Sequence, residues 1–425
     1  MPSPDPVQKY LETYAEPEIQ LVSKIPDRIW TDTLVIPART ENEHLFRTLQ
    51  SVEKASQFSD KRVLVILVVN GQANEIEENQ KVLHALGAVS LSDGFHFIEK
   101  SFYDIVVIDR ASASRCFQEK EGVGLARKIG CDFALSLIQR KRILSPWIRN
   151  TDADVILPED YFLALESHGD YRPAGFVYDF IHDSSPLGEL APALDLYDLS
   201  LRYYVAGISW AKSPYAFHTI GSALVIHAEA YAEVRGFPKR EAGEDFYLLN
   251  KLAKIGQIED SLGSPIQIAG RVSTRTPFGT GVKTQEIASK LLDGEDVLFY
   301  HPEIFLHLKE WVEVLAQFSH STHSLQDEIL LRSTGPFLLE NLRGLDAIDA
   351  ISKLKEKSKT PEIRLRQFHT WFDAFKTLKF VHLMRDTTHP SLPWKKALKG
   401  LSALTADNSL RYKSSKRRAP KIVLN

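Results

Sequence analysis

The chain has 425 residues and a mass of 48.1 kDa, enough for two or three domains or for one large domain with attachments. With 44% hydrophobic and 25% charged residues it is too apolar to be a disordered chain. Its longest strongly apolar run, Val63 to Val69, is far short of a membrane span, and the polar N-terminus lacks a signal-peptide pattern, so a cytoplasmic location is expected.

Two cysteines, Cys116 and Cys131, cannot by themselves build a disulfide framework or a Cys-based zinc site. The chain holds 52 basic and 55 acidic residues. Nine of the basic residues and one acid lie between Lys395 and Asn425, which leaves 43 against 54 for the rest. An acidic body therefore carries a basic tail. Such a tail reads first as a solvated, partly disordered terminus, and it could also touch an anionic membrane surface; no nucleic-acid partner is expected.

In chain order, the first organised signal is Leu34-Val35-Ile36, ended by Pro37 and followed by a polar loop and an amphipathic stretch from Leu45 to Val52. That pattern predicts strand, loop and helix. Val63 to Val69 is rich in β-branched residues without alternation, as in a strand buried on both faces, and Asn70-Gly71 closes it. Ile105 to Ile108 predicts a third strand ending at Asp109, and Val123 to Ile138 has helical spacing. A short strand at Trp147-Ile148 runs into Thr151-Asp152-Ala153-Asp154. Strands alternating with helices predict an α/β fold with a mostly parallel central sheet, whose ligands bind beyond the carboxyl ends of the strands. The stretch from about Tyr161 to Tyr300 is less regular and aromatic-rich. From Pro302 onward the pattern is helical, and a stripe of Ile363, Phe368, Trp371, Phe372, Phe375 and Leu378 follows Pro361, which suits a helix start.

Three local features could carry chemistry. In an extended segment Asp152 and Asp154 point to one side, so both can converge on one ribose or on a hard divalent ion such as Mg²⁺ or Mn²⁺, although Asp-X-Asp also occurs often by chance in surface loops. Gly243-Glu244-Asp245 opens a predicted helix, where the acids complement the helix dipole or, for Asp245, act as a base toward a hydroxyl. Gly122 to Gly130 sets glycines before a helix, where backbone N–H groups can approach a diphosphate and Lys120 or Arg127 can supply counter-charge. Rossmann spacing and a Walker lysine-serine pair are both missing there, which disfavours a dinucleotide site. His218 and His301 are candidate metal ligands, although a lone histidine is more often structural.

The order and spacing of these motifs resemble those of the GT-A fold nucleotide-diphospho-sugar glycosyltransferases, particularly the family 2-like ones. The resemblance is carried by Val35-Ile36-Pro37, by Asn42-Glu43-His44-Leu45, by Gly122 to Gly130, by Asp152 to Asp154, by Arg235-Gly236-Phe237 and by Gly243-Glu244-Asp245, and it covers residues 30 to 300. It implies a Rossmann-like sheet in which Pro37, Ala38 and Glu43 line the nucleotide pocket, Asp152 faces ribose or metal, Asp154 ligates the metal and Asp245 deprotonates the acceptor. Where many relatives have an aspartate that reads the base, this chain has Asn70, and Arg235 replaces the first glycine of Gly-Gly-Phe. Arg271, Ser273, Arg275 and Gly279-Thr280-Gly281 read either as a lid that contacts phosphate or as an ordinary polar turn.

The implied organisation is an N-terminal helical segment (1–30), a nucleotide-sugar-binding half (31–160), an acceptor-binding half (161–300), a helical region (301–392) and a basic tail (393–425). The expected activity is metal-dependent transfer of a hexose from a nucleotide-diphosphate sugar to the hydroxyl of a small molecule, lipid or glycan. Tyr178, Phe180, Tyr203, Tyr204, Trp210, Tyr215 and Phe217 could stack on sugar, or simply pack. Two other readings remain: a nucleotidyltransferase, disfavoured because no glycine-rich loop follows the first strand, and a non-catalytic binding protein, disfavoured by the retention of Asp152, Asp154 and Asp245.

Overall fold

A computed structural model describes residues 5–41, 43–88, 94–165, 173–261, 263–271 and 279–405. Asn42, Ser273, Arg275 and the end of the basic tail therefore lie outside the described residues. The chain divides into two compact units, Met1–Gly188 with Thr219–Val282, and Glu189–His218 with Lys283–Asn425.

Helix α1 (Pro6–Thr13) starts on Asp5, whose side chain accepts the Val7 N–H. The apolar runs then form strands β1 (Asp32–Ala38) and β2 (Val63–Asn70), separated by helix α2 (Glu43–Ser59), and every residue of both strands is buried. Helix α3 (Ile76–Ala85) leads to β3 (Phe95–Glu99), an edge strand with only one buried residue, which the sequence reading did not anticipate. After β4 (Tyr103–Arg110) comes α4 (Val123–Gln139), buried over most of its length. Its Gly130 lets it press onto the sheet, since a Cβ there would lie 2.4 Å from Val35. Strands β5 (Trp147–Asn150), β6 (Val155–Ile156), β7 (Gly175–Val177) and β8 (Phe180–Asp183) follow, then helix α5 (Ala191–Trp210). The chain continues through β9 (Leu224–His227), α6 (Ala228–Glu233), α7 (Glu244–Leu252), β10 (Ile258–Asp260) and β11 (Ile266–Ala269).

The main sheet has the order β10-β7-β9-β5-β1-β2-β4-β3. Its centre, β5-β1-β2-β4, is parallel, as unbroken Val/Ile/Leu runs require, while β3 and β9 pair antiparallel. Strands β7, β9 and β10, from the stretch that the sequence sets apart after residue 160, continue this same sheet. A smaller sheet, β6-β11-β8, ties the chain just beyond Asp154 to the strand that ends before Arg271.

Among its described residues the second unit is helical apart from β12 (Leu298–Phe299) and β13 (Leu392–Pro393). Helix α8 (Thr280–Leu292) begins at Thr280, so Thr280 and Gly281 are helical and not part of a lid loop. Helices α9 (Pro302–His320), α10 (Leu325–Leu330), α11 (Gly335–Arg343), α12 (Ala347–Lys357), α13 (Pro361–Trp371), α14 (Ala374–Thr387) and α15 (Trp394–Thr405) share a core with α5 around Trp311, Phe305 and Phe380. The stripe after Pro361 divides between two helices: Phe372 ends α13, the Asp373 side chain caps α14, and Ile363 and Phe375 are exposed while Phe368 and Phe372 are buried. The tail is ordered further than its charge suggests, because Ala397 and Leu401 of α15 are fully buried. No described helix is long and apolar enough to cross a membrane.

Candidate functional site

The carboxyl ends of β1, β5 and β11 and the start of α7 bring charged side chains together, and Arg127 of α4 is at the centre. It donates from Nη2 to Asp152 Oδ1 at 2.6 Å and from Nε to Glu244 Oε1 at 3.0 Å. Arg127 is almost fully buried, and its Nη1 has no hydrogen-bond partner in the protein. Gly221 makes room for this guanidinium, since a Cβ there would sit 2.5 Å from Nη2. A second cation, Arg271 just past β11, donates from Nη1 to Glu41 Oε1 at 2.6 Å and from Nη2 to Asp154 Oδ2 at 2.7 Å.

Asp152 and Asp154 do not converge on one cation as an extended segment would have them do. Residues 153–154 form a turn between β5 and β6, which aims one carboxylate at Arg127 and the other at Arg271. Glu41, nearly buried, is the carboxylate that the first loop delivers, whereas Glu43 is exposed at the start of α2. Glu41 lies in an ordinary polar loop, and its place shortly after the buried strand β1 is the signal the sequence holds for it. The loop itself is braced, with Thr40 N–H donating to Asn79 Oδ1 and Arg39 bonded to Glu75.

Glu244 and Asp245 open α7 behind Gly243, whose φ of 73° is a conformation glycine adopts without strain. The half-buried Asp245 carboxyl is pushed up to about 7, first by the protein packed around it and then by the neighbouring Glu244 charge. Burial likewise raises Glu244, against the pull of Arg127. Asp152 contributes to the electrostatics of Glu244, Asp245 and Arg271, so both arginines belong to one field.

The glycines that open α4 serve packing. Gly122 and Gly124 face the backbone of 238–241, where a Cβ would meet Glu241 O and Pro238 O at 2.7 and 2.5 Å, and Gly124 N–H donates to Arg240 O. The close approach holds the loop that leads into Gly243-Glu244-Asp245. Arg235 has a φ of 63° where the family pattern has glycine, and its guanidinium lies 4.9 Å above the Tyr14 ring. Pro37 and Ala38 are buried at the end of β1, Asn70 is buried at the end of β2 with an unpartnered Oδ1, and Lys120 is exposed.

The histidines take other roles. His301 is the N-cap of α9, its Nδ1 accepting the Glu303 N–H at 3.2 Å. His218 lies in the second unit, where burial and then the Arg202 charge push its imidazole down to about 4. The aromatics proposed for stacking are packed instead: Tyr178 stacks on Tyr161, and Phe180, Tyr203, Trp210, Tyr215 and Phe217 are buried.

Among the described residues no three His, Cys, Asp or Glu side chains form a group that could hold a metal by themselves. The donor set still fits a hard divalent ion. Mg²⁺ and Mn²⁺ sites are often completed by water and substrate phosphate around one or two carboxylates, and here Arg271 already draws Glu41 and Asp154 onto one positive group.

No family model matches the chain, and no curated protein matches it. It overlays on solved glycosyltransferase structures at low scores. A mannosyltransferase from Pyrobaculum calidifontis in complex with GDP-Man and Mn²⁺ has 12% identity and a TM-score of 0.34 over 87% of this chain and 95% of that one. TarS of S. aureus has 12% identity and a TM-score of 0.34 over 80% and 55%. Glucosyl-3-phosphoglycerate synthase from Mycobacterium tuberculosis, with Mn²⁺, UDP and glucosyl-3-phosphoglycerate, has 14% identity and a TM-score of 0.32 over 66% and 87%.

Proposed function

We propose that the protein is a glycosyltransferase that moves a sugar from a nucleotide-diphosphate donor to an acceptor hydroxyl with the help of a divalent ion. One observation carries this reading. At the carboxyl ends of the strands, five carboxylates (Glu41, Asp152, Asp154, Glu244 and Asp245) surround two guanidiniums, and one of these, Arg127, keeps a buried donor unused. A surplus of acid suits a cation, and a buried N–H donor suits an anionic or hydroxylated ligand; a cation-bound diphosphate sugar supplies both.

In this reading Asp154 holds the ion with Glu41 beside it, Asp152 faces the ribose, and Pro37, Ala38 and Asn70 line the nucleotide pocket. The ion, when bound, neutralises charge that develops on the departing diphosphate. Arg127 orients Asp152 and Glu244 through its two bonds and presents Nη1 to the donor. Asp245, with a pKa near neutrality, accepts the proton of the acceptor hydroxyl if the reaction inverts the anomeric centre. The choice of base, sugar and acceptor belongs to the same proposal and is open to the same experiment.

That experiment is a thermal melt against nucleotide diphosphates and nucleotide sugars, with and without Mn²⁺, for wild type and Asp154→Ala. A ligand at a hundredfold excess over Kd adds about 2.7 kcal/mol of stability, which a melt resolves. A Mn²⁺-dependent shift with one nucleotide, lost in the variant, is expected. The absence of a shift with every nucleotide would overturn the reading in favour of a non-catalytic protein.

A further inference from the structure

We infer that Arg271 is a built-in counter-cation that occupies the cation position between Glu41 and Asp154 and leaves it when a divalent ion binds. The inference rests on the metal-dependent reading above. Glu41 and Asp154 are nearly buried, with side chains 6% and 9% exposed, and two carboxylates bonded to one guanidinium repel each other unless a positive charge lies between them. Arg271 supplies it by splitting its guanidinium, one nitrogen to each acid.

The backbones around the two acids are fixed independently of Arg271. Asp154 O accepts the Ala269 N–H at 2.9 Å, and β6 pairs with β11 through Gln267↔Ile156 and Ile268↔Val155. On the other side, Thr40 is bonded to Asn79 and Arg39 to Glu75. The carboxylates are thus placed beforehand, and the guanidinium is the part that can depart. Its side chain is 32% exposed, unlike Arg149 in the ion pair with Asp32, which is 2% exposed and enclosed.

One carboxylate oxygen cannot serve a guanidinium N–H and a divalent ion in full at once, so the two cations compete for Asp154. Competition of this kind is reciprocal: whatever affinity Arg271 takes from the ion, the ion takes from Arg271. A guanidinium displaced next to an incoming diphosphate has a bidentate partner at hand.

The test uses the full-length chain without nucleotide and Mn²⁺ as the probe. Mn²⁺ binding, followed by the electron paramagnetic resonance of free Mn²⁺, is measured for wild type, Arg271→Gln and Arg271→Lys. Arg271→Gln is expected to bind about tenfold more tightly than wild type, and Arg271→Lys, which keeps a competing charge, to stay close to wild type. Equal or weaker binding by Arg271→Gln overturns the inference and leaves a nucleotide-dependent melting shift untouched. If no chain binds Mn²⁺, the inference falls together with the metal-dependent reading. A second measurement needs no variant: Mn²⁺ should speed phenylglyoxal modification of Arg271 in the wild-type chain several-fold, read by peptide mass spectrometry. An unchanged or slower rate overturns the inference.

Discussion

The two ends of the central sheet both bury charge, and they do so in opposite ways. At the amino ends, Asp104 is fully buried and receives Arg28 at 2.9 Å, Arg62 at 2.5 Å and the Trp30 indole N–H at 2.8 Å. Asp32, at the start of β1, is bonded to the buried Arg149, with Lys61 at 3.6 Å. Two buried acids and the exposed Glu99, which also pairs with Arg28, there face four cations. In the cluster around Arg127 and Arg271, past the carboxyl ends, five acids face two arginines, and Arg127 Nη1, Asn70 Oδ1 and Thr151 Oγ1 are buried without protein partners. Arg149 Nε is also without a partner, but at the amino ends each buried acid is met by protein cations, so no carboxylate is left over for an added ion. A surplus of one sign beside unused donors and acceptors is a cluster awaiting something else.

This contrast can be broken by substitution. Asp245→Asn removes the proposed base without altering side-chain volume, and transfer to the acceptor should fall by about 10²- to 10⁴-fold in kcat while the melting temperature does not fall. An unchanged rate would remove Asp245 from the mechanism. At the other end, Asp32→Ala leaves Arg149 charged and enclosed, and urea unfolding should show a loss of about 3–5 kcal/mol with nucleotide affinity unchanged in whatever protein still folds. If Asp32→Ala weakened nucleotide binding and spared stability, the division between the two ends would be mistaken. Gly124→Ala pushes a Cβ into the backbone of 238–240 and should cost about 1–3 kcal/mol, and it should also disturb ligand binding, because that loop leads to Glu244 and Asp245.

The smallest effect concerns pH. The Asp245 pKa is raised above its unfolded value, so the folded state holds the proton more tightly. Its contribution to stability is therefore full below about pH 4 and is lost as pH rises toward 7. Asp245→Asn should flatten that part of the stability–pH curve, and an identical slope in wild type and variant would contradict the raised pKa.

Much of the fold was legible in the chain. Unbroken β-branched runs announced the parallel centre, and Pro361 marked a true helix start with Thr360 as its cap. The edge strand β3 was not legible, because a strand with one buried residue carries little apolar periodicity. Nor was the break after Trp371, since Phe372 continues the apolar spacing across a chain reversal. Of the site, Asp152, Asp154, Glu244 and Asp245 stood out as acids next to buried elements, and Arg127 as a base among glycines.

Local pattern already dictates which segments are buried and which polar residues follow them, because hydrophobic burial depends on that pattern. Tertiary structure alone decided which charge meets which. Arg127 and Glu244 lie 117 positions apart, Glu41 rather than Glu43 turns inward, and a turn at Ala153 sends Asp152 and Asp154 to different arginines. Ion pairing depends on distances of a few ångströms between side chains, and those distances exist only once the strands have found their neighbours.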